Sequence, residues 1–349
     1  MNILRSRSNA LLTAVVIAGS CVPAAYAAPL QAPMLADALQ QAANLPRLHA
    51  LIVSQNGRTV IARGFRGRDL NRPVNVKSVS KSVISALVGI AIGRGAIAGT
   101  ETPVAGLLPR RLPPAGTRDP RFARLTVDHL LSMRAGLERT SGRNYGSWVA
   151  SRDWVRNALA RPFVEEPGGP MLYSSGNSHL LSAILTRATG RSTHTLAVDW
   201  LGTPLGIAIP PWQRDPQGIY FGGNNMLLSP RALLKFGELY RNGGLHDGKR
   251  VLPAGWVDAS WTPRARSPWT GDAYGYGWFV TEFCGETSYY ARGFGGQFVH
   301  VLPSLGLSIV ITSDLSTRTR VGGYRTALNE LVEQGIVAKA LEAAGDSCV

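Results

Sequence analysis

An α+β fold is what this sequence predicts: an antiparallel sheet built from both chain ends, flanked by terminal helices, with a mostly helical subdomain inserted between. Three observations carry the expectation. Runs with strand character lie near residues 49–65 and return beyond residue 272. From Ser78 to about Trp261 the apolar residues recur instead at helical spacing, between Pro- and Gly-rich loops. A sheet drawn from two distant stretches and covered by helices buries both sets of apolar residues. The 349 residues suffice for two subdomains, with 28–74 plus 265–349 forming the sheet and 75–264 the helices.

Taken in order, residues 1–27 read as a signal peptide. Arg5 and Arg7 precede the short apolar run LLTAVVIAG, and cleavage after Ala27 satisfies the small-x-small rule with Ala25. The expected location is periplasmic or secreted. IAGSC, ending at Cys21, offers a lipoprotein anchor as an alternative, against which Ala18 stands where leucine is usual. The apolar run LLTAVVIAG is too short for a membrane span, and the sequence offers no second candidate of about 18 residues.

A short helix is expected near residues 34–43. HALIVSQNGRTVIARGF then reads as a hairpin around Asn56-Gly57. VDHLLSMRAGL, SHLLSAILTRATG and SPRALLKFGELYRNGG are the clearest helices, each closing near a glycine. RRLPPAG and EEPGGP mark surface loops. YGYGWFVTEF, TSYYARGF, GQFVHVLP and GLSIVITSD are the later strands. A helix over about 321–343 places Leu328, Leu331 and Val332 on one face.

The net charge of +15 comes almost wholly from arginines scattered singly, and lysine occurs only five times. Nucleic-acid binding needs a clustered basic footprint, so no nucleic-acid partner is expected. Removal of the signal leaves Cys284 and Cys348, which either form one disulfide or stand as two free thiols. There is no His-Glu-x-x-His, Cys-x-x-Cys or Gly-x-Ser-x-Gly. Neither a metal, a cofactor nor a Ser-His-Asp nucleophile elbow is therefore expected, and His129, His179 and His300 read as structural.

The stretch VKSVSKSVISALVGIAIG poses the chemical question. Ser78 stands where a helix should begin, and Lys81 follows at i+3 on the same face, at the mouth of an apolar helix. Burying an ammonium lowers its pKa. An uncharged lysine amine can take the proton of a serine hydroxyl and make it a nucleophile. Tyr173, in a loop just before a helix, offers a phenol whose pKa a neighbouring ammonium would depress, suited to a proton shuttle. In YYARGFGGQFVHVLP, glycines at 293, 295 and 296 let a substrate approach the strand backbone, where an amide can face an oxyanion.

These segments, in this order, resemble the serine β-lactamase and penicillin-recognising superfamily, in its class C-like branch. SVSK matches the nucleophile motif, TVDHLLSMRAGL the helix after it, and YSS the Tyr-x-Asn position. DPQGIYFGGNNMLLSPRALLKFGELYRNGG and LPAGWVDAS are similar to its later helical region, and ARGFGGQ falls at its Lys-Thr-Gly or His-x-Gly strand. The resemblance implies a β-lactamase/transpeptidase-like fold with its active site at the subdomain junction. Ser78 would be acylated, with Lys81 as base and Tyr173 passing the proton on. The oxyanion would lie between the Ser78 amide and that of Phe294, or of a neighbour within Gly293–Gly295.

Two departures shape the expected substrate. Ser175 replaces the asparagine that binds a β-lactam acyl side chain, and Ala291-Arg292-Gly293 lacks the opening lysine or histidine. Arg292 could still hold a carboxylate bidentately. The form is most similar to 6-aminohexanoate-dimer hydrolase-like and family VIII esterase-like members. The expectation is an acyl-enzyme hydrolase of a small amide or ester. Alternatives are a class C-like β-lactamase, a D-alanyl-D-alanine carboxypeptidase, or a cell-wall-peptide or β-lactam sensor that does not turn over.

Overall fold

The computed structural model describes residues 29–316 and 321–348. The expected signal segment and Cys21 lie outside the described residues. Strands β1 (Leu48–Gln55), β2 (Arg58–Gly64), β3 (Ala265–Arg266), β4 (Ala273–Tyr274), β5 (Phe279–Phe283), β6 (Glu286–Gly293), β7 (Gln297–Leu302) and β8 (Leu307–Ser313) form the main sheet. Its order is β2-β1-β8-β7-β6-β5-β4-β3, antiparallel throughout. The longer helices are α1 (Ala36–Asn44), α2 (Ser80–Gly93), α3 (Ser175–Thr189), α4 (Pro230–Arg241) and α5 (Val321–Val332). The last continues through a π turn into α6 (Ala338–Ala344).

The two chain ends pair within the sheet, as its second and third strands, where Leu51 lies opposite Ile311 and Val53 opposite Ile309. The β1–β2 turn has Asn56 at φ 51° and Gly57 at φ 80°. Positive φ at both central residues is what a two-residue hairpin following the strand twist requires. Both faces of the sheet are covered, so β1 and β8 are apolar with little alternation. Ala50, Ile52, Val299 and Val310 face the helical region, whereas Leu48, Leu51, Ile309 and Ile311 belong to a second core. That second core includes Leu35 and Ala38 of the N-terminal helices and Leu328, Leu331 and Val332 of α5.

The middle segment covers the sheet directly, with α4 packed on β1, β7 and β8. Gly237 permits the approach, since a Cβ there would lie 2.9 Å from Val299 Cγ1. Helix α2 forms the centre of the helical region. Every residue from Ser80 to Ala91 is buried, as befits a helix apolar on all sides.

Two elements differ from the sequence expectation. VDHLLSMRAGL is helical only over Val127–Leu131. Met133 takes φ 62°, and the Arg134 N–H bonds to the His129 carbonyl, which ends the helix before Gly136. YGYGWFVTEF is interrupted between β4 and β5. Gly277 turns at φ 83°, and its carbonyl accepts a 2.6 Å bond from Ser82 Oγ of α2. The interruption docks the sheet edge onto the central helix. Cys284 and Cys348 are joined as a disulfide, with Cα atoms 4.6 Å apart.

Candidate active site

Ser78 lies in a one-turn 3₁₀ segment, Lys77–Val79, and the α-helix proper starts at Ser80. Its hydroxyl therefore precedes α2 by two residues instead of opening it. The turn is held from several sides. Lys77 adopts φ 51°, and its N–H donates to Asn75 Oδ1 at 2.9 Å. Ser80 Oγ donates to the Lys77 carbonyl at 2.6 Å and accepts from the Met226 N–H at 3.1 Å. Val74–Asn75 pairs with Leu227–Leu228. The turn carrying Ser78 is thus stitched to the segment around residue 226.

Lys81 projects back over this turn. Its Nζ is 2.9 Å from Ser78 Oγ, 2.5 Å from the Gly223 carbonyl and 3.4 Å from Ser175 Oγ. The residue is 3% exposed, and no carboxylate pairs with it among the described residues. Burial without a counter-charge lowers its pKa to about 7. As an ammonium Lys81 can donate to all three oxygens. As an amine it has two hydrogens and a lone pair, suited to donating to Gly223 and Ser175 while accepting from Ser78.

Tyr173 lines the same cavity as Ser78, close enough for the Ser78 side chain to act on its phenol. Its ring stacks on Phe279 at 6.2 Å, and Lys81 Nζ lies 4.9 Å from the ring centroid. The expected depression of its pKa is not found: burial raises it, outweighing the opposing influences of Ser78 and of the Arg292 charge. The physical reason is placement. Lys81 meets the ring face, not the phenolic oxygen, and its own burial disfavours the positive charge.

Ser175 begins α3. Its N–H donates to Ser141 Oγ at 2.9 Å, while its hydroxyl accepts from Ser141 at 3.2 Å and from Lys81. This serine faces Lys81. On the other side, β6 ends at Gly293 against the turn that carries Ser78. A Cβ there would stand 2.2 Å from the Val76 carbonyl. Gly295 and Gly296, at φ 83° and 97°, form the turn into β7. The three glycines thus answer to the chain's own packing, where the sequence suggested room for substrate. Phe294, between them, is 61% exposed. Arg292, half-buried, is depressed in pKa by burial and then by Arg325.

A cavity of about 290 Å³ joins these groups, lined by Ser78, Tyr173, Arg292, Gly293 and Phe294 and by residues that the sequence did not single out. Among the latter are Arg139, Ser141 and Trp269. Gly223 was also missed, because a backbone carbonyl acting as acceptor has no residue-type signature; Ser141 carries only the weak signal of a Ser-Gly turn. His179 bonds Asp215 at 3.0 Å with both side chains buried, and His300 bonds Ser288 at 3.2 Å. His129 caps its own helix, accepting from the Thr126 N–H. Among the described residues no cluster of three His, Cys, Asp or Glu could hold a metal.

A sequence model of the family described as Beta-lactamase matches residues 46–334. Solved structures with the same fold include a candidate 6-aminohexanoate-dimer hydrolase from Bacillus anthracis. It is 19% identical with a TM-score of 0.72, over 88% of this chain and 82% of that one. A penicillin-binding protein homologue from Caulobacter crescentus gives 18%, 0.70, 91% and 98%. EstCE1, a hydrolase with promiscuous acyltransferase activity, gives 17%, 0.69, 86% and 99%. No curated protein matches the chain.

Proposed function

The chain belongs to the beta-lactamase family, and from that premise we propose that it is an exported serine hydrolase cleaving a small amide or ester through an acyl-enzyme on Ser78. The observation that carries the reading is the buried lysine amine 2.9 Å from a serine hydroxyl, with a pKa near 7. Neutral Lys81 takes the Ser78 proton as Oγ attacks the substrate carbonyl. Tyr173, kept protonated at neutral pH by burial, gives its own phenolic proton to the departing nitrogen or oxygen, and the proton taken up by Lys81 returns to the phenol through solvent in the cavity. A water then attacks the ester and repeats the transfer in reverse, restoring Ser78.

The developing oxyanion falls to the amides of Ser78 and Phe294. Among the described residues the Phe294 N–H donates to no protein acceptor, which supports its use as the second donor. Ser175, engaged by Ser141 and Lys81, does not offer the amide that would hold a β-lactam acyl side chain. That favours open-chain esters and amides over β-lactams.

Ser78→Ala should reduce hydrolysis of p-nitrophenyl esters by several orders of magnitude. It should also abolish the mass increase that a fluorophosphonate leaves on the protein. Undiminished ester turnover by Ser78→Ala would overturn the assignment. Nitrocefin should be a poor substrate in the same assay.

A further inference from the structure

The cavity beside Ser78 is positive on two of its walls. Arg139 enters from the loop that carries Ser141, and Arg292 enters from β6. No hydrogen bond or ion pair to an acidic group is made by either guanidinium among the described residues. The acids around them are engaged elsewhere. Glu138, next to Arg139 in sequence, is bound to Arg161 at 3.0 Å, and Asp272, whose charge Arg292 feels at a distance, accepts the Tyr290 hydroxyl at 2.6 Å and lies outside the cavity wall. Not one aspartate or glutamate lines the cavity. Arg325 adds further positive charge behind Arg292.

The remaining rim is aromatic. Arg139 lies over the Trp269 ring at 5.0 Å. Trp269 and Phe294 are 58% and 61% exposed, and they account for two of the three large exposed hydrophobic side chains among the described residues. A half-buried guanidinium without a counter-ion attracts a carboxylate, which it can grip bidentately, and repels an ammonium. Both effects grow where aromatic walls exclude water.

We infer that this pocket selects by charge, accepting amides or esters with an anionic carboxylate and an apolar body and rejecting those with a free ammonium. The inference rests on the pocket being the substrate site of the proposed hydrolase, and it narrows that proposal. An ω-amino acid oligomer carries an ammonium on its acyl side, which Arg139 and Arg292 would meet with no acid on the cavity wall to pair with it. The carboxylate-bearing ester is the better fit.

Two measurements on the mature full-length protein test this. The first compares kcat/KM for 4-nitrophenyl esters of matched length carrying a terminal carboxylate, methyl or ammonium group. The carboxylate ester should exceed the ammonium ester by at least about ten-fold. That ratio should shrink in high salt and fall towards one in the Arg139→Gln/Arg292→Gln double variant. The second measurement needs no turnover: calorimetric binding of 6-phenylhexanoate against 6-phenylhexylamine to the parent protein. Tighter binding of the carboxylate, by about ten-fold, supports charge selection even if every ester proves inert, an outcome that would count against the hydrolase reading alone. Equal or tighter binding of the amine, or equal turnover of the ammonium ester, overturns the inference whether or not the double variant folds.

Discussion

Lys81 can accept the Ser78 proton only while it is uncharged, and burial brings its pKa to about 7. The expected pH profile of kcat/KM therefore rises from acid through about pH 7 and then levels, which a pH-rate series on a neutral ester would check. The same shift acts on stability with a definite sign. In the unfolded chain the lysine holds its proton to about 10.4, whereas in the folded protein it loses it near 7. Between those values the unfolded state binds more protons, so stability rises with pH across the window. Lys81→Met removes the penalty while leaving the Gly223 carbonyl without its donor. The variant should be inactive, and its stability relative to the parent should fall by a few kcal/mol from pH 7 to pH 10. Urea midpoints at the two pH values measure this, and a difference that stays constant would refute the buried-lysine account. Tyr173→Phe should lower kcat by about 10²–10⁴-fold with the fold intact. Ser78, Lys81 and Tyr173 were legible in the sequence because their chemistry resides in side chains at fixed spacing. The direction of the Tyr173 shift was not, since it depends on which part of the ring Lys81 faces.

Helix α2 owes its position to contacts that tolerate no extra atoms. A Cβ at Gly89 would lie 2.3 Å from the Trp256 indole, and one at Gly93 would lie 2.6 Å from Pro253. Gly89→Ala should destabilise the protein by about 1–3 kcal/mol despite alanine's better helix propensity, and thermal melts would show the loss. Gly99→Ala, where a Cβ meets nothing within 4 Å, is the matched control. Gly293→Ala would push β6 away from the Val76 carbonyl and with it from the nucleophile turn. Its cost should show in kcat/KM as well as in stability. At this scale the sequence showed the hairpin and most of the later strands, because alternation and the Asn-Gly turn are local signals. The short Val127 helix and the break at Gly277 were hidden, because tertiary partners decide them: the strand stops where Ser82 of α2 claims its carbonyl.

For the molecule as a whole, the Cys284–Cys348 bond ties the C-terminal tail to the sheet over a separation of 64 residues. A cross-link of that span contributes about 4 kcal/mol in the chain-entropy description. Cys284 lies in the turn just before β6 and Gly293 at the far end of that strand, so the length of β6, about 27 Å, separates the bond from the Ser78 turn. Reduction, or Cys348→Ala, should lower the melting temperature while leaving ester hydrolysis at 25 °C unchanged. Activity lost together with the bond would show that the tail reaches the site. The division into sheet and helical segments was visible because strand and helix periods occupy separate stretches. The packing of α4 across the sheet was not, since no local pattern says which apolar faces meet.

The pairing of β1 with β8 has a consequence in time. Residues 48–55 are synthesised long before residues 307–313, their neighbours within the sheet. Nascent β1 can pair with β2 but must wait, its second edge unsatisfied, until residues 307–313 have emerged, so the main sheet cannot close before then. Such distant pairing slows maturation and leaves sticky intermediates open to chaperones. A truncation ending at residue 306 should accumulate as a protease-sensitive chain rather than as a smaller folded protein.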